Sequence, residues 1–290
     1  MMIAYVYLVL SVFASASSSV FGKYYNRKNA EETDPVPLYN FLLLLSVFVG
    51  WGVLFAFNFS FDARVLPYSA AFALSYTVGI LGIISALKYG PASLTSLFIS
   101  LSLILVTVWG FIFWNAELTV LVGIGLVLVA VSIFLCLSGD KKDEKKASVK
   151  WLLFVLLACF GNAGCSIIQR TQQTAFGGKH GEMLMVFASF ISLAVFFTVF
   201  MIKGRTNAKT LIKRSWYFPV SAGICNVLLN LFVILLATSE LSPSLIYPTI
   251  GVGGLAVVMV FSVFAFKEKL KPLQWIGIAF GAAATVLLSL

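Results

Sequence analysis

Apolar residues run along this chain in long unbroken stretches rather than in alternation. The pattern predicts ten helices, over 3–22, 37–57, 67–87, 91–113, 119–138, 151–169, 183–202, 216–237, 242–265 and 272–289. A hydrocarbon layer about 30 Å thick is crossed by about 20 residues of helix, so each stretch is long enough to span a bilayer. Runs of this length without a period of two exclude a porin-like barrel. Pro37, Pro67, Pro91, Pro243 and Pro272 stand at predicted helix starts, where a missing N–H leaves no bond unmade. The first stretch lacks a basic leader and runs on through its serines, so it is read as a retained helix rather than a signal peptide. The longest connectors are 23–36, 139–150, 170–182 and 203–215, too short for an extramembrane domain. The expected fold class is therefore all-α and integral to the membrane.

Composition narrows the picture further. Hydrophobic types make up 60% of the 290 residues and charged types 11%. A soluble surface needs roughly 25% charged residues, so a soluble fold is excluded. All eleven acids lie in connectors or at span ends: Glu31, Glu32, Asp34, Asp62, Glu117, Asp140, Asp143, Glu144, Glu182, Glu240 and Glu268. No span carries a carboxylate at mid-depth, which argues against coupling through a buried protonatable acid. The net charge is +9, and 17 of the 20 Lys and Arg lie after spans 1, 3, 5, 7 and 9. Only Arg64, Arg170 and Lys179 lie after the even-numbered spans. The positive-inside rule puts the larger set in the cytoplasm and both termini outside. This basic excess is read as orientation by anionic membrane lipids. No nucleic-acid partner is expected, because no soluble segment interleaves basic and aromatic residues.

The two halves of the chain repeat each other. Phe13–Lys23 (FASASSSVFGK) lies over Phe160–Arg170 (FGNAGCSIIQR), pairing Phe13 with Phe160, Ser19 with Ser166 and Lys23 with Arg170. Later in the halves, Ala86 falls on Ala237, Ser93 on Ser244 and Glu117 on Glu268, and Gly125 falls on Gly277 after slippage of one residue. The expected organisation is a first five-helix repeat over 1–138, a basic linker over 139–150 and a second repeat over 151–290. An odd number of spans per repeat inverts one against the other, the arrangement that supports alternating access.

At these residues the chain resembles the drug/metabolite transporter superfamily in its ten-helix, EamA-like form. The stretch ALKYGPASLTSLFISLSLILVTVWGFIFWNAEL over 86–118 resembles that family's short connector, serine-rich fourth helix and Glu-Leu before the fifth. AFKEKLKPLQWIG over 265–277 resembles the matching entry to the tenth, and 158–170 resembles the sixth. Leu103 and Gly254 stand where the family often has a proline, so the usual kink is not expected at either position. Pro248 with Gly251, Gly253 and Gly254 is expected to loosen the ninth span instead. The resemblance implies a transporter of small organic metabolites, more often an exporter. It also implies cytoplasmic termini, against the charge count.

No enzyme chemistry is expected. His180 is the only histidine, in a Gly177-Gly178-Lys179-His180-Gly181 connector, and one histidine builds neither a metal site nor a triad. Cys136, Cys159, Cys165 and Cys225 form no CxxC pair and are read as helix filling. No cofactor or metal is expected.

The candidate site is a set of neutral polar residues inside the spans. Asn162, Ser166 and Gln169 share one stripe of the sixth, Ser15 and Ser19 the equivalent stripe of the first, and Asn226 and Asn230 a face of the eighth. Tyr76, Ser96 and Tyr247 add hydroxyls from the third, fourth and ninth, with Trp109 as a further aromatic wall. A neutral amide has no partner among lipid tails, so these groups either line a watery cavity or bond between helices. Glu117 and Glu268, beside helix starts, are read as helix caps or gate contacts. Gly82xxxAla86 and Gly277xxxGly281 let backbones approach closely, either within the bundle or across a homodimer. The expectation is a carrier in the cell (inner or plasma) membrane, moving amino-acid-like or drug-like solutes through a central neutral cavity. Transport of sugar-nucleotide or lipid-linked substrates, a non-transporting scaffold and a membrane-embedded lipid enzyme are the alternatives.

Overall fold

The computed structural model describes residues 2–90, 92–137, 148–205, 207–267 and 270–288. Eleven α-helices follow one another among them: α1 Met2–Lys28, α2 Val36–Phe57, α3 Leu66–Tyr89, α4 Ala92–Phe113, α5 Val120–Leu137, α6 Val149–Ala175, α7 Gly181–Lys203, α8 Ala208–Ser215, α9 Tyr217–Ala237, α10 Pro243–Phe266 and α11 Pro272–Leu288. A short 3-10 helix, Ala63–Val65, precedes α3. Among the described residues, eight helices are long and apolar enough to cross a membrane. The fourth predicted span appears as α4, 22 residues long, and the tenth as the shorter apolar helix Pro272–Leu288. At 1.5 Å per residue, the 17 residues of α11 reach about 26 Å.

Local signals set most helix ends. Ser242 caps α10, its Oγ accepting from Leu245 N–H at 3.3 Å, and Pro243 follows in the first turn. Asp62 caps the 3-10 helix by accepting from Arg64 N–H at 3.0 Å. Pro248 lies inside α10, which nonetheless runs unbroken to Phe266. Two helices outrun their predicted spans: α1 continues to Lys28 and α6 to Ala175. Hydropathy marks where lipid-compatible side chains stop, whereas backbone hydrogen bonding continues as long as neighbours pack. Tyr25, Gln172 and Gln173 are all fully buried in these extensions. The predicted connector 203–215 contains α8, whose buried face is Leu211 and Ser215, one turn apart. Of the predicted linker, residues up to 147 lie outside the described part, and Val149 and Lys150 already belong to α6.

The chain divides into two compact units that cut across its halves. Unit 1 is Met1–Leu8, Ser75–Ile167 and Ser239–Leu290; unit 2 is Val9–Leu74 and Ile168–Thr238.

Glycines draw the helices of unit 1 together. On α11, a Cβ at Gly277 would lie 2.9 Å from Cys136 N, and one at Gly281 2.8 Å from Ser132 Oγ. Ser132 Oγ donates to Gly277 O at 2.6 Å, and Gln274 Nε2 donates to Cys136 O at 3.0 Å, so α5 and α11 are bonded as well as packed. The α3 segment meets α6 as closely, since a Cβ at Gly82 would lie 2.8 Å from Ala158 N. Ala86 is buried against Trp151 and Val155 on the same face. Both small-residue faces, read as packing either within the bundle or across a homodimer, meet a neighbouring helix within unit 1. The physical reason is the one that singled them out: a face without side chains is where a neighbouring backbone packs closest.

Unit 2 is an aromatic seam. Phe41 of α2 stacks on Phe200 of α7 at 5.1 Å and tilts against Phe197 at 5.5 Å. Gly223 of α9 lies against α2, where a Cβ would meet Leu43 O at 2.6 Å. At the end of α1, Asn29 Nδ2 donates to Ser215 Oγ at 3.0 Å and Lys28 Nζ donates to Tyr217 OH at 2.8 Å. These bonds hold α8 and the start of α9 against α1.

Candidate functional site

In unit 1, α6 brings Asn162 to α4. Asn162 Nδ2 donates to Ser102 Oγ at 2.6 Å, and Ser102 Oγ donates back to Ile99 O within its own helix at 2.5 Å. Gly161, beside Asn162, sits so close to α3 that a Cβ would lie 2.5 Å from Gly79 N and 2.6 Å from Ser75 O. Ser166 and Tyr76 are half-buried on α6 and α3. Tyr247 is buried on α10 with its ring 6.4 Å from that of Trp114. Trp109 stacks on Phe113 of its own helix and is 37% exposed, so it forms no wall inside unit 1. The side chain of Ser96 lies outside the described residues.

In unit 2, the predicted amides do meet. Gln169 Nε2 donates to the main-chain carbonyl of Asn230 at 3.3 Å and lies 3.9 Å from Met185 Sδ. Asn230 Nδ2 in turn donates to Asn226 Oδ1 at 3.1 Å and to Asn226 O at 2.9 Å. Among the described residues, Asn226 Nδ2 is left without an acceptor. Ser19 is exposed and its Oγ donates back to Ser15 O at 3.1 Å, within α1. A Cβ at Gly22, three residues after Ser19 on α1, would lie 3.0 Å from Tyr39 OH, so Gly22 serves close packing.

Glu117 is exposed, three residues before α5. The cap of α5 is Thr119, whose Oγ1 accepts from Val122 N–H at 3.2 Å. A carboxylate near a helix start was the signal, but the hydroxyl sits at the right position and Glu117 does not. Glu268 lies outside the described residues.

Several polar groups escaped the sequence. Ser102 stands off the ladder of serines 93, 96 and 100, so spacing along α4 does not reveal it. Gln172 and Gln173 fell in a predicted connector; Gln173 Nε2 donates to Gln172 Oε1 at 2.6 Å, and Gln172 Nε2 to Lys179 O at 3.0 Å. Buried side-chain atoms without a hydrogen-bond partner among the described residues include Thr77 Oγ1 and Thr249 Oγ1 in unit 1, and Asn29 Oδ1, Trp51 Nε1 and Gln173 Oε1 in unit 2. Threonine and tryptophan inside an apolar run read as packing, and only a neighbour list separates a satisfied group from an orphan.

Unit 2 also holds a cavity of about 580 Å³, lined by Asp62, Arg64, Tyr68, Ala175, Phe176, Lys179 and His180. The α2–α3 and α6–α7 connectors supply most of it. Arg64 clasps Asp62 through Nη2 to Oδ2 at 2.7 Å and Nε to Oδ1 at 3.0 Å. That hydrogen-bonded guanidinium holds the Asp62 carboxyl at about 2, below the ordinary carboxylate range. His180 Nδ1 pairs with Ser60 Oγ at 2.9 Å. None of the predicted site residues lines this cavity.

Comparison with known proteins fits these features. Residues 2–138 match the EamA-like transporter family. An uncharacterised protein of Haemophilus influenzae is 23% identical over 185 residues, covering 63% of this chain; the match spans 62% of that protein's length. A solved crystal structure shares the fold with a TM-score of 0.77 at 12% identity, covering 99% of this chain and 96% of the other. Eight apolar helices of spanning length make the protein a multi-pass membrane protein. Over residues 2–138, just under half of its length, the chain is similar to the EamA-like transporter family, which places that part in the drug/metabolite transporter superfamily.

Proposed function

We propose that the protein moves small organic metabolites, amino-acid-like or drug-like, out across the cell membrane by alternating access. The working parts are two inverted five-helix repeats, 1–138 and 151–290, ten spans in all. The match of residues 2–138 to a transporter family supports translocation, and the repeated FASASSSVFGK and FGNAGCSIIQR segments support the inverted halves.

The observation that carries the substrate class is the uncharged hydrogen-bonding capacity inside the helices. Asn226 Nδ2 has no acceptor among the described residues, and Thr77, Thr249 and Gln173 each keep a buried atom unpaired. A buried polar atom without a partner costs on the order of 1–3 kcal/mol. A solute carrying hydroxyl, amide or amine groups relieves that cost when it binds. The proposed solute contacts are Asn162, Ser166, Tyr76 and Tyr247 in unit 1 and, taken separately, Gln169, Asn226, Asn230 and Ser15 in unit 2.

Flux of a radiolabelled metabolite panel into proteoliposomes tests the proposal. Uptake or exchange of at least one solute is expected, with strong loss in Asn162→Leu and Asn226→Leu. Flux that ignores both substitutions removes the site; absence of flux across a broad panel removes the carrier.

A further inference from the structure

The charged cavity of unit 2 has a chemistry distinct from that of the amide groups. Its volume of about 580 Å³ falls in the range of small-molecule pockets, about 300–1,000 Å³. Phe176 is its central wall. The rings of Tyr68 and His180 stand edge-on to it, each at 5.9 Å, and the Arg64 guanidinium lies 5.6 Å from its centroid. The chamber is thus flanked by flat, polarizable surfaces.

Its charges are unequal. Asp62 and Arg64 neutralise each other through the bonds described above. Lys179, in contrast, meets no carboxylate and no hydrogen-bond acceptor through its ammonium among the described residues. The cavity therefore carries an unopposed positive charge at neutral pH.

The placement of these cations argues against a bland origin. Only Arg64, Arg170 and Lys179, of 20 basic residues, lie in connectors after the even-numbered spans. Two of those three line this one cavity. The bias that orients membrane proteins puts basic residues in the other connectors, so it does not account for a pair here. The loop that carries Lys179 is also held in a costly shape. Gly177, Gly178 and His180 all take positive φ, at 58°, 79° and 63°, which histidine tolerates at a cost of roughly 1–2 kcal/mol.

We propose that this cavity binds planar organic anions, with the carboxylate on Lys179 and the ring or conjugated body against Phe176 and Tyr68. An ammonium–carboxylate contact supplies charge-assisted bonding, and the aromatic walls supply stacking area. The site is separate from the neutral residues assigned to translocation, and its occupancy requires no transport.

The test is direct binding to the full chain in phosphatidylcholine nanodiscs, read by 19F line broadening. Three probes of one shape are compared: 4-fluorobenzoate, neutral 4-fluorobenzamide and cationic 4-fluorobenzylamine. The expected order is benzoate first, with the benzylamine excluded. Lys179→Gln is expected to weaken benzoate binding about tenfold while Lys179→Arg retains it. Equal binding of the amide or the amine, or benzoate affinity unchanged in Lys179→Gln, overturns the proposal. Retention of binding in Lys179→Arg excludes misfolding as the cause of the loss. Because the readout is binding, its failure is distinct from failure of the carrier proposal, which is judged by flux.

Discussion

Asn162 Nδ2 donates to Ser102 Oγ at 2.6 Å, joining α6 to α4 within unit 1. Side-chain hydrogen bonds between helices in a membrane average only about 0.6 kcal/mol, because the separated helices find other partners. A double-mutant cycle on Asn162→Ala and Ser102→Ala is expected to give a coupling of about 0.5–1.5 kcal/mol by unfolding in detergent. Additive effects of the two substitutions would show that the bond contributes nothing to stability.

Glycine substitutions should separate sharply by neighbour. A Cβ at Gly161 meets the backbone of Gly79 and Ser75, which cannot step aside as a side-chain tip does. Gly161→Ala is expected to lower stability by about 1–3 kcal/mol. Gly123→Ala on α5 and Gly52→Ala on α2 have nothing within 4 Å and are expected to be neutral or stabilising by up to about 1 kcal/mol. Thermal unfolding of the three variants in one detergent checks the order.

The contrast among these glycines also shows what the sequence could reveal. Long apolar runs located the eight helices of spanning length, together with α4 and α11, because lipid demands side chains that a hydropathy reading detects. The same reading stopped short at Lys23 and Arg170, where α1 and α6 continue under polar side chains. It passed over α8, an eight-residue helix of mostly polar composition. Spacing along one helix correctly joined Asn226 to Asn230, but it could not pair Asn162 with Ser102, which depends on another helix. The charged cavity was missed because its walls come from two connectors far apart in the chain.

Asp62 titrates unusually low because Arg64 bonds to it. A carboxyl at about 2, against an ordinary value near 3.9, stabilises the folded connector fully above about pH 4; that contribution fades as pH falls through about 2. Arg64→Ala is expected to return Asp62 toward about 4 in a carboxyl-13C titration. A carboxyl that stays near its low value would show that Arg64 is not the cause.

Asp62→Asn keeps a side-chain oxygen at the cap of the 3-10 helix while releasing Arg64. It is expected to raise 4-fluorobenzoate affinity several-fold, since the cavity gains a second unopposed cation. Weaker binding in this variant would show that Asp62 itself shapes the pocket.

Orientation is open to a direct measurement. The distribution of 17 basic residues against three predicts that both termini lie outside. Alkaline phosphatase fused after Leu290 is expected to be active, and a fluorescent protein at the same position dark. The reverse pair of results would place the termini in the cytoplasm.

The interleaving of the two compact units has a bearing on biogenesis. Unit 2 draws on Val9–Leu74 and on Ile168–Thr238, so no ribosome can complete it before residue 238 has been made. Unit 1 waits longer, for the segment from Ser239 onward. Gly79 and Gly82 of α3 therefore stay uncovered until α6, which packs against them, has been made. Cleaving or pausing the nascent chain near residue 138 would strand parts of both units and finish neither.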